Sequence, residues 1–200
     1  VSSIPRPGVL REKGMIDIIA AAQALDRHVP ATSVKAALSS GKEVLAVIAA
    51  LADEAEAKGI VKPVDGLKLL PPIPDPSKFF CVGKNSHKHR EELLANAMLT
   101  EIPTEPTGFI KLVDTMCGQD AEVARPGGIT SLDYEPELVF VIGRRAHKVK
   151  KADALGHIAG ITVFNDLSMR EIQKREVASG SRFWTAKNAP GFAPIGPVIA

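Results

Sequence analysis

This 200-residue chain holds two cysteines, a single tryptophan and a single tyrosine, and no long hydrophobic run. Cys81 and Cys117 are too few for a disulfide scaffold. Neither belongs to a CxxC pair, which excludes a zinc site of that kind. No apolar stretch reaches the length of a membrane span. The N-terminus carries Arg6, Arg11 and Lys13 but no continuous apolar segment ahead of a cleavage site, so no signal peptide is expected and a cytoplasmic location is the default. A strong charge of one sign is also missing: the formal net charge is +2, without a basic block or basic–aromatic interleaving. Nucleic acid and membrane are therefore not expected partners. What is present is 45% hydrophobic and 24% charged residues, the composition of a soluble globular chain.

The best internal boundary is the proline-rich run at residues 71–76, a stiff linker that cannot enter regular structure. It separates a mostly helical module, residues 1–72, from a larger domain, residues 73–200. In the module, residues 1–13 read as irregular. Met15, Ile16, Ile19, Ala22 and Leu25 recur at helical spacing. Thr32 or Ser33 can cap a short turn, and Gly41 opens a stronger helix with the stripe Val44, Leu45, Ile48, Leu51, Ala52 and Ala55, ended by Gly59. Leu67–Leu70 is a weaker strand candidate. In the larger domain, residues 78–83, 109–112, 132–143 and 160–166 read as strands, and a helix is expected near Asp153. Ser168 with Glu171 reads as a capping box. The chain ends on an apolar, strand-like run, which points to a fragment of a longer protein or to ordered structure that stops there.

The chemistry concentrates on acidic residues at strand ends. Glu135 and Glu137 lie two apart in one strand, so they share a face about 7 Å apart. Pro136 favours an edge or the start of that strand. Asp166 ends the next apolar strand. Three carboxylates at two strand ends suit a hard divalent cation such as Mg²⁺, Mn²⁺ or Ca²⁺. The plainer alternative makes the glutamates exposed sheet residues and Asp166 a helix cap. His89 and Glu92, three apart on a short helix, can pair and move a proton, or be an exposed pair without a role.

The ordered blocks Val82-Gly83-Lys84-Asn85 with His89 and Glu92, Asp133-Tyr134-Glu135-Pro136-Glu137-Leu138, residues 160–170 with Gln173, then Lys187 and Ala193-Pro194-Ile195-Gly196-Pro197, resemble the fumarylacetoacetate hydrolase family over residues 78–200. The resemblance implies a mixed α+β fold: a β-rich, barrel-like roll of that family's C-terminal domain type, truncated here, with a variable N-terminal module. It implies Glu135, Glu137 and Asp166 as ligands of Mg²⁺ or Mn²⁺, and His89, Glu92 and Lys187 as catalytic residues. It also implies a homodimer and a small 2-oxo or diketo acid substrate. Arg170 and Gln173 would support the metal or a substrate carboxylate, Asn165 would order its loop, and Lys111 could face the same pocket. Two positions depart from the family: Ser86 where tyrosine is common, and Pro190 where an aspartate commonly follows the lysine by three.

The first functional expectation is a metal-dependent hydrolase that cleaves a C–C bond of an acylpyruvate or related β-diketo acid, in catabolism of aromatic compounds. An isomerase, decarboxylase or hydratase acting on a 2-oxo acid is the enzymatic alternative. A non-catalytic member with a structural or regulatory role is the third.

Overall fold

A computed structural model describes residues 4–84, 91, 94–95 and 105–200. Ser86, His89 and Glu92 lie outside the described residues.

The chain begins with a hairpin, β1 (Gly8–Arg11) against β2 (Gly14–Asp17), paired from Gly8↔Asp17 to Arg11↔Gly14. This replaces the irregular start expected there. Gly14 has φ +141°, and a Cβ on it would lie 2.3 Å from the Lys62 carbonyl oxygen. That close approach lets Met15 exchange two backbone hydrogen bonds with Lys62, at 2.8 and 2.9 Å. Met15 and Ile16 are thereby held in a strand despite their helical spacing. Asp17 then caps α1 (Ile18–Ala24), its Oδ1 accepting from the amides of Ile19 and Ala20. Ser33 caps α2 (Val34–Ser39) through the Ala36 amide. Helix α3 (Lys42–Ala57) runs as expected and stops before Gly59, whose φ is +73°. Its stripe Ile48, Leu51, Ala52 and Ala55 packs on Ile16, Ile18, Ala21, Ala22, Ala31 and Ala37 in one apolar core. Leu67–Leu70 joins no ladder, and residues 71–76 form no regular element.

The larger region is a set of two-stranded ladders. Strand β3 (Phe80–Gly83) pairs antiparallel with β4 (Thr107–Ile110). Strand β5 (Met116–Cys117) is parallel to β10 (Ala193–Pro194). Strand β6 (Leu132–Asp133) is antiparallel to β9 (Ser168–Met169), and β7 (Pro136–Ile142) to β8 (Ile158–Asn165). The architecture is mixed α/β, and among the described residues these ladders do not close into a barrel. The single strand expected over 132–143 is broken at Tyr134–Glu135, and Pro136 opens β7 because it has no amide to donate. Residues Lys151–His157 form a 3₁₀ helix where an α-helix was expected near Asp153.

Helix α4 (Arg170–Ala178) follows β9, and the short α5 (Trp184–Lys187) packs beside it. Two small cores serve this region, Phe79–Phe164–Ala193 and Ile129–Met169–Phe192. Leu138, Phe140, Ile142, Ile161 and Val163 remain exposed on one face of β7–β8. Ala200 exchanges backbone hydrogen bonds with Ile161, so the last residue runs beside β8. Among the described residues no helix is long and apolar enough to cross a membrane.

Candidate active site

The site forms where the ends of β4, β8, β9 and α5 meet the break between β6 and β7. Asn165, the last residue of β8, accepts the Glu135 amide on its Oδ1 at 2.8 Å. The Asp166 amide donates to the Glu135 carbonyl, also at 2.8 Å. These two bonds satisfy the backbone at the strand break and set Glu135 beside Asp166. Asn165 thus has the loop-ordering role expected of it.

Lys187, at the end of α5, is buried. Its Nζ donates to Asp166 Oδ2 at 2.6 Å, to Ser168 Oγ at 2.6 Å, and to Glu135 Oε2. An ammonium has three protons, and all three are engaged. The Phe109 and Phe183 rings lie 5.3 and 6.0 Å from the same nitrogen and stack edge-to-face on each other. They form an apolar wall that favours a cation and excludes water. Phe183 adopts φ +52°, a left-handed conformation unusual for a bulky residue. Glu176 of α4 caps α5 by accepting the Thr185 and Ala186 amides.

Arg170 completes the other side. Its guanidinium donates to Glu135 Oε1 and Asp133 Oδ2, each at 2.5 Å, and to Gln173 Oε1 at 2.8 Å. Lys111 closes the far end, its Nζ 2.9 Å from Asp166 Oδ1. The result is an alternating series, Lys111–Asp166–Lys187–Glu135–Arg170–Asp133, in which every carboxylate lies beside a cation. Burial pushes the Glu135 carboxyl upward, but Lys187 and Arg170 outweigh it and hold the group below the ordinary carboxylate range. Burial works against the Arg170 charge, yet Asp133 and Glu135 raise its pKa further. Burial pushes Lys111 below the ordinary lysine range, against the pull of Asp166. The neighbouring Cys81 thiol is driven up to about 12, by burial first and by the Asp166 charge second.

Glu137 pairs with Phe164 in the β7–β8 register and by alternation shares the inner face of β7 with Val139. Its side chain is exposed. Among the described residues no three His, Cys, Asp or Glu side chains gather closely enough to hold a metal ion. The donor set is all oxygen, as Mg²⁺ or Mn²⁺ requires, and two of the three carboxylates converge on one point. In donor chemistry the residues fit a hard cation, with Glu137 on the adjoining face.

Several features differ from their sequence reading. Ser168 is not a helix cap. It pairs with Asp133 in the β6–β9 ladder and its hydroxyl lies between Glu135, the Asp166 carbonyl and Lys187. Met169 takes the cap position without a side-chain bond, and Glu171 instead binds the amides of Thr130 and Ser131. Ser168, Asp133 and the two phenylalanines were missed. The available signal was a serine two residues beyond Asp166 in an otherwise apolar context. The Pro190 departure does not loosen Lys187. Asn188 accepts the Leu112 amide at 2.6 Å and donates to the Ile110 and Trp184 carbonyls.

Residues 78–200 match the family described as "Fumarylacetoacetate (FAA) hydrolase C-terminal", and the chain belongs to the fumarylacetoacetate hydrolase family. The chain is 39% identical over 137 residues to "Fumarylacetoacetate hydrolase domain-containing protein 2 homolog" of Dictyostelium discoideum, covering 68% of this chain and 42% of that protein. It is 38% identical over 135 residues to "Oxaloacetate tautomerase YisK" of Bacillus subtilis, covering 66% and 42%. Among solved structures, the fumarylacetoacetate hydrolase of Exiguobacterium antarcticum superposes over 98% of this chain and 62% of its own, with TM-score 0.70 and 26% identity. The chain spans less than half the length of these two curated relatives.

Proposed function

We propose that this chain carries the metal-binding part of an enzyme that interconverts tautomers or isomers of a small 2-oxo acid. The observation that carries this reading is the buried Lys187 ammonium set between Glu135 and Asp166 under an apolar wall. The similarity to an oxaloacetate tautomerase supports the substrate class.

In this reading Glu135, Glu137 and Asp166 hold Mg²⁺ or Mn²⁺. When bound, that ion polarises the 2-oxo group and stabilises the developing enolate. Lys187 exchanges one of its three partners for a substrate oxygen and adds positive charge where negative charge develops. Arg170 keeps Glu135 ionised and aimed, and Gln173 fixes the guanidinium in turn. Phe109 and Phe183 keep water from the ammonium, which strengthens its electrostatic effect. Tautomerisation needs only a proton shifted between carbon and oxygen. It does not need an activated water, which suits the apolar wall. A homodimer in the cytoplasm is part of the same proposal.

A second reading is C–C hydrolysis of an acylpyruvate. It rests on His89 and Glu92 as a pair that activates water. Product analysis of full-length protein with Mg²⁺ on oxaloacetate, acetylpyruvate and fumarylpyruvate separates the two. Tautomerisation in deuterated water exchanges the C3 protons of oxaloacetate and leaves one product of unchanged carbon skeleton. Hydrolysis yields two fragments, and decarboxylation releases CO₂. Fragmentation of an acylpyruvate without accelerated C3 exchange would reject the first reading in favour of the second.

A further inference from the structure

We infer that Lys111 is a positioning residue that fixes the metal ligand Asp166 and the catalytic Lys187 relative to each other, with Asn188 as the second half of the same clasp. This rests on the proposed roles of Asp166 and Lys187.

Lys111 leaves β4 at the point where the strand ends, its amide bonded to the Phe79 carbonyl at 3.0 Å. It is 1% exposed, one of the largest fully buried side chains among the described residues. A lysine in that position has no water to solvate its charge. Its three donors go to Asp166 Oδ1 at 2.9 Å, to the Lys187 carbonyl at 2.5 Å and to the Phe192 carbonyl at 2.8 Å. None is left for a ligand, so Lys111 acts through others rather than on substrate. Binding Oδ1 turns Oδ2 of Asp166 toward Lys187. Binding the Lys187 carbonyl fixes the backbone from which that ammonium extends.

Asn188 returns the grip on β4. Its Oδ1 takes the Leu112 amide and its Nδ2 reaches the Ile110 carbonyl, the two residues that flank Lys111. The end of β4 therefore holds residue 187, and residue 188 holds the end of β4. An alternating charge series needs such a clasp, because Lys111 and Lys187 sit on the two oxygens of one carboxylate and repel each other. Lys111 differs from Asn188 in touching Asp166. The two substitutions should therefore divide the effects on metal binding and turnover.

The test uses full-length protein with Lys111→Met, Lys111→Arg and Asn188→Ala, each shown to be folded by circular dichroism. Mn²⁺ affinity is measured by calorimetry, kcat and KM are measured on the active substrate, and hydrogen–deuterium exchange is followed over residues 184–193. Lys111→Met should weaken Mn²⁺ at least tenfold and lower kcat by about 10- to 100-fold with a smaller change in KM, as expected for misplaced reacting groups. Asn188→Ala should lower kcat at least threefold while leaving Mn²⁺ affinity within twofold. Both should speed exchange over 184–193. Lys111→Arg keeps the charge but not the geometry, and should recover part of the Mn²⁺ affinity and little of kcat.

Wild-type Mn²⁺ affinity and kcat in folded Lys111→Met would overturn the inference, leaving Lys111 a purely structural cation. If Lys111→Met does not fold, Asn188→Ala decides: unchanged kcat with unchanged exchange overturns the clasp. A wild-type protein that neither binds Mn²⁺ nor turns over substrate would reject the proposed function instead. In that case the exchange data alone decide the clasp.

Discussion

Two regions of this molecule are held together differently. The N-terminal region, around the cluster that spans residues 9–61, is closed by apolar burial. Its core runs from Ile16 to Ala55 and is built of isoleucine, leucine and alanine, and among the described residues no polar side chain is buried there. Among the described residues the larger region has two small apolar cores. It buries Lys111, Thr115, Thr162, Asp166, Ser168 and Lys187 instead. Burying apolar groups stabilises directly, at roughly 25 cal/mol per Å². Burying paired charges contributes little net stability, because desolvation offsets the attraction. A chain that places its charges inside one region and none inside the other separates scaffold from chemistry. In the described residues the charged interior lies wholly within the family-matched segment, residues 78–200.

That contrast is sharpest where a buried charge loses its partner. Asp166→Ala would leave Lys111 and Lys187 facing each other without their shared carboxylate. A loss of about 3–5 kcal/mol in urea denaturation is expected, together with loss of turnover. A change below about 1 kcal/mol would mean that the site hydrates and the charges are not truly interior.

Acid should weaken the tie between α4 and the 130–131 loop. Glu171 ties α4 to the 130–131 loop, and its pKa is lowered from 4.5 to about 2, chiefly by the Thr130 hydroxyl. A carboxyl depressed in the folded state adds stability above its unfolded value, and that stability is lost as pH falls through the folded value. The Glu171 contribution should fade between pH 4.5 and about 2. Glu135 is depressed in the same direction and adds to the loss. Unfolding curves of wild type and Glu171→Gln should differ at pH 6 and converge at pH 2.

Changes in the module should affect stability without chemistry. Ile18→Val removes one buried methylene and should cost about 0.5–1.5 kcal/mol, with kcat unchanged. Ser33→Ala removes the α2 cap and should cost about 1 kcal/mol by thermal unfolding. A drop in kcat from either variant would break the separation and couple the module to the site.

The sequence made some of this visible. Helix α3 is legible because its apolar stripe and its flanking glycines are local signals. Glu135 and Asp166 stood out as carboxylates at strand ends and Lys187 through its place in the ordered blocks, and the structure brings the three side chains together. The hairpin β1–β2 was not legible, because Met15 and Ile16 carry helical spacing and the Lys62 backbone that holds Met15 extended lies 47 residues on. Ser168 fits a capping box by spacing alone, and only its ladder with Asp133 shows that its hydroxyl turns into the site. Lys111 looks like any lysine at a strand end until Asp166, Lys187 and Phe192 enclose it. In each case the winning interaction is distant in sequence.

The most direct measurement is keto–enol interconversion of oxaloacetate by the full-length protein, for wild type and Lys187→Met, with Mg²⁺ and after chelation. The account predicts rapid interconversion only for wild type with metal, and a loss of at least about 10²-fold from either the substitution or the chelator. Wild-type rates in both the chelated protein and folded Lys187→Met would contradict it.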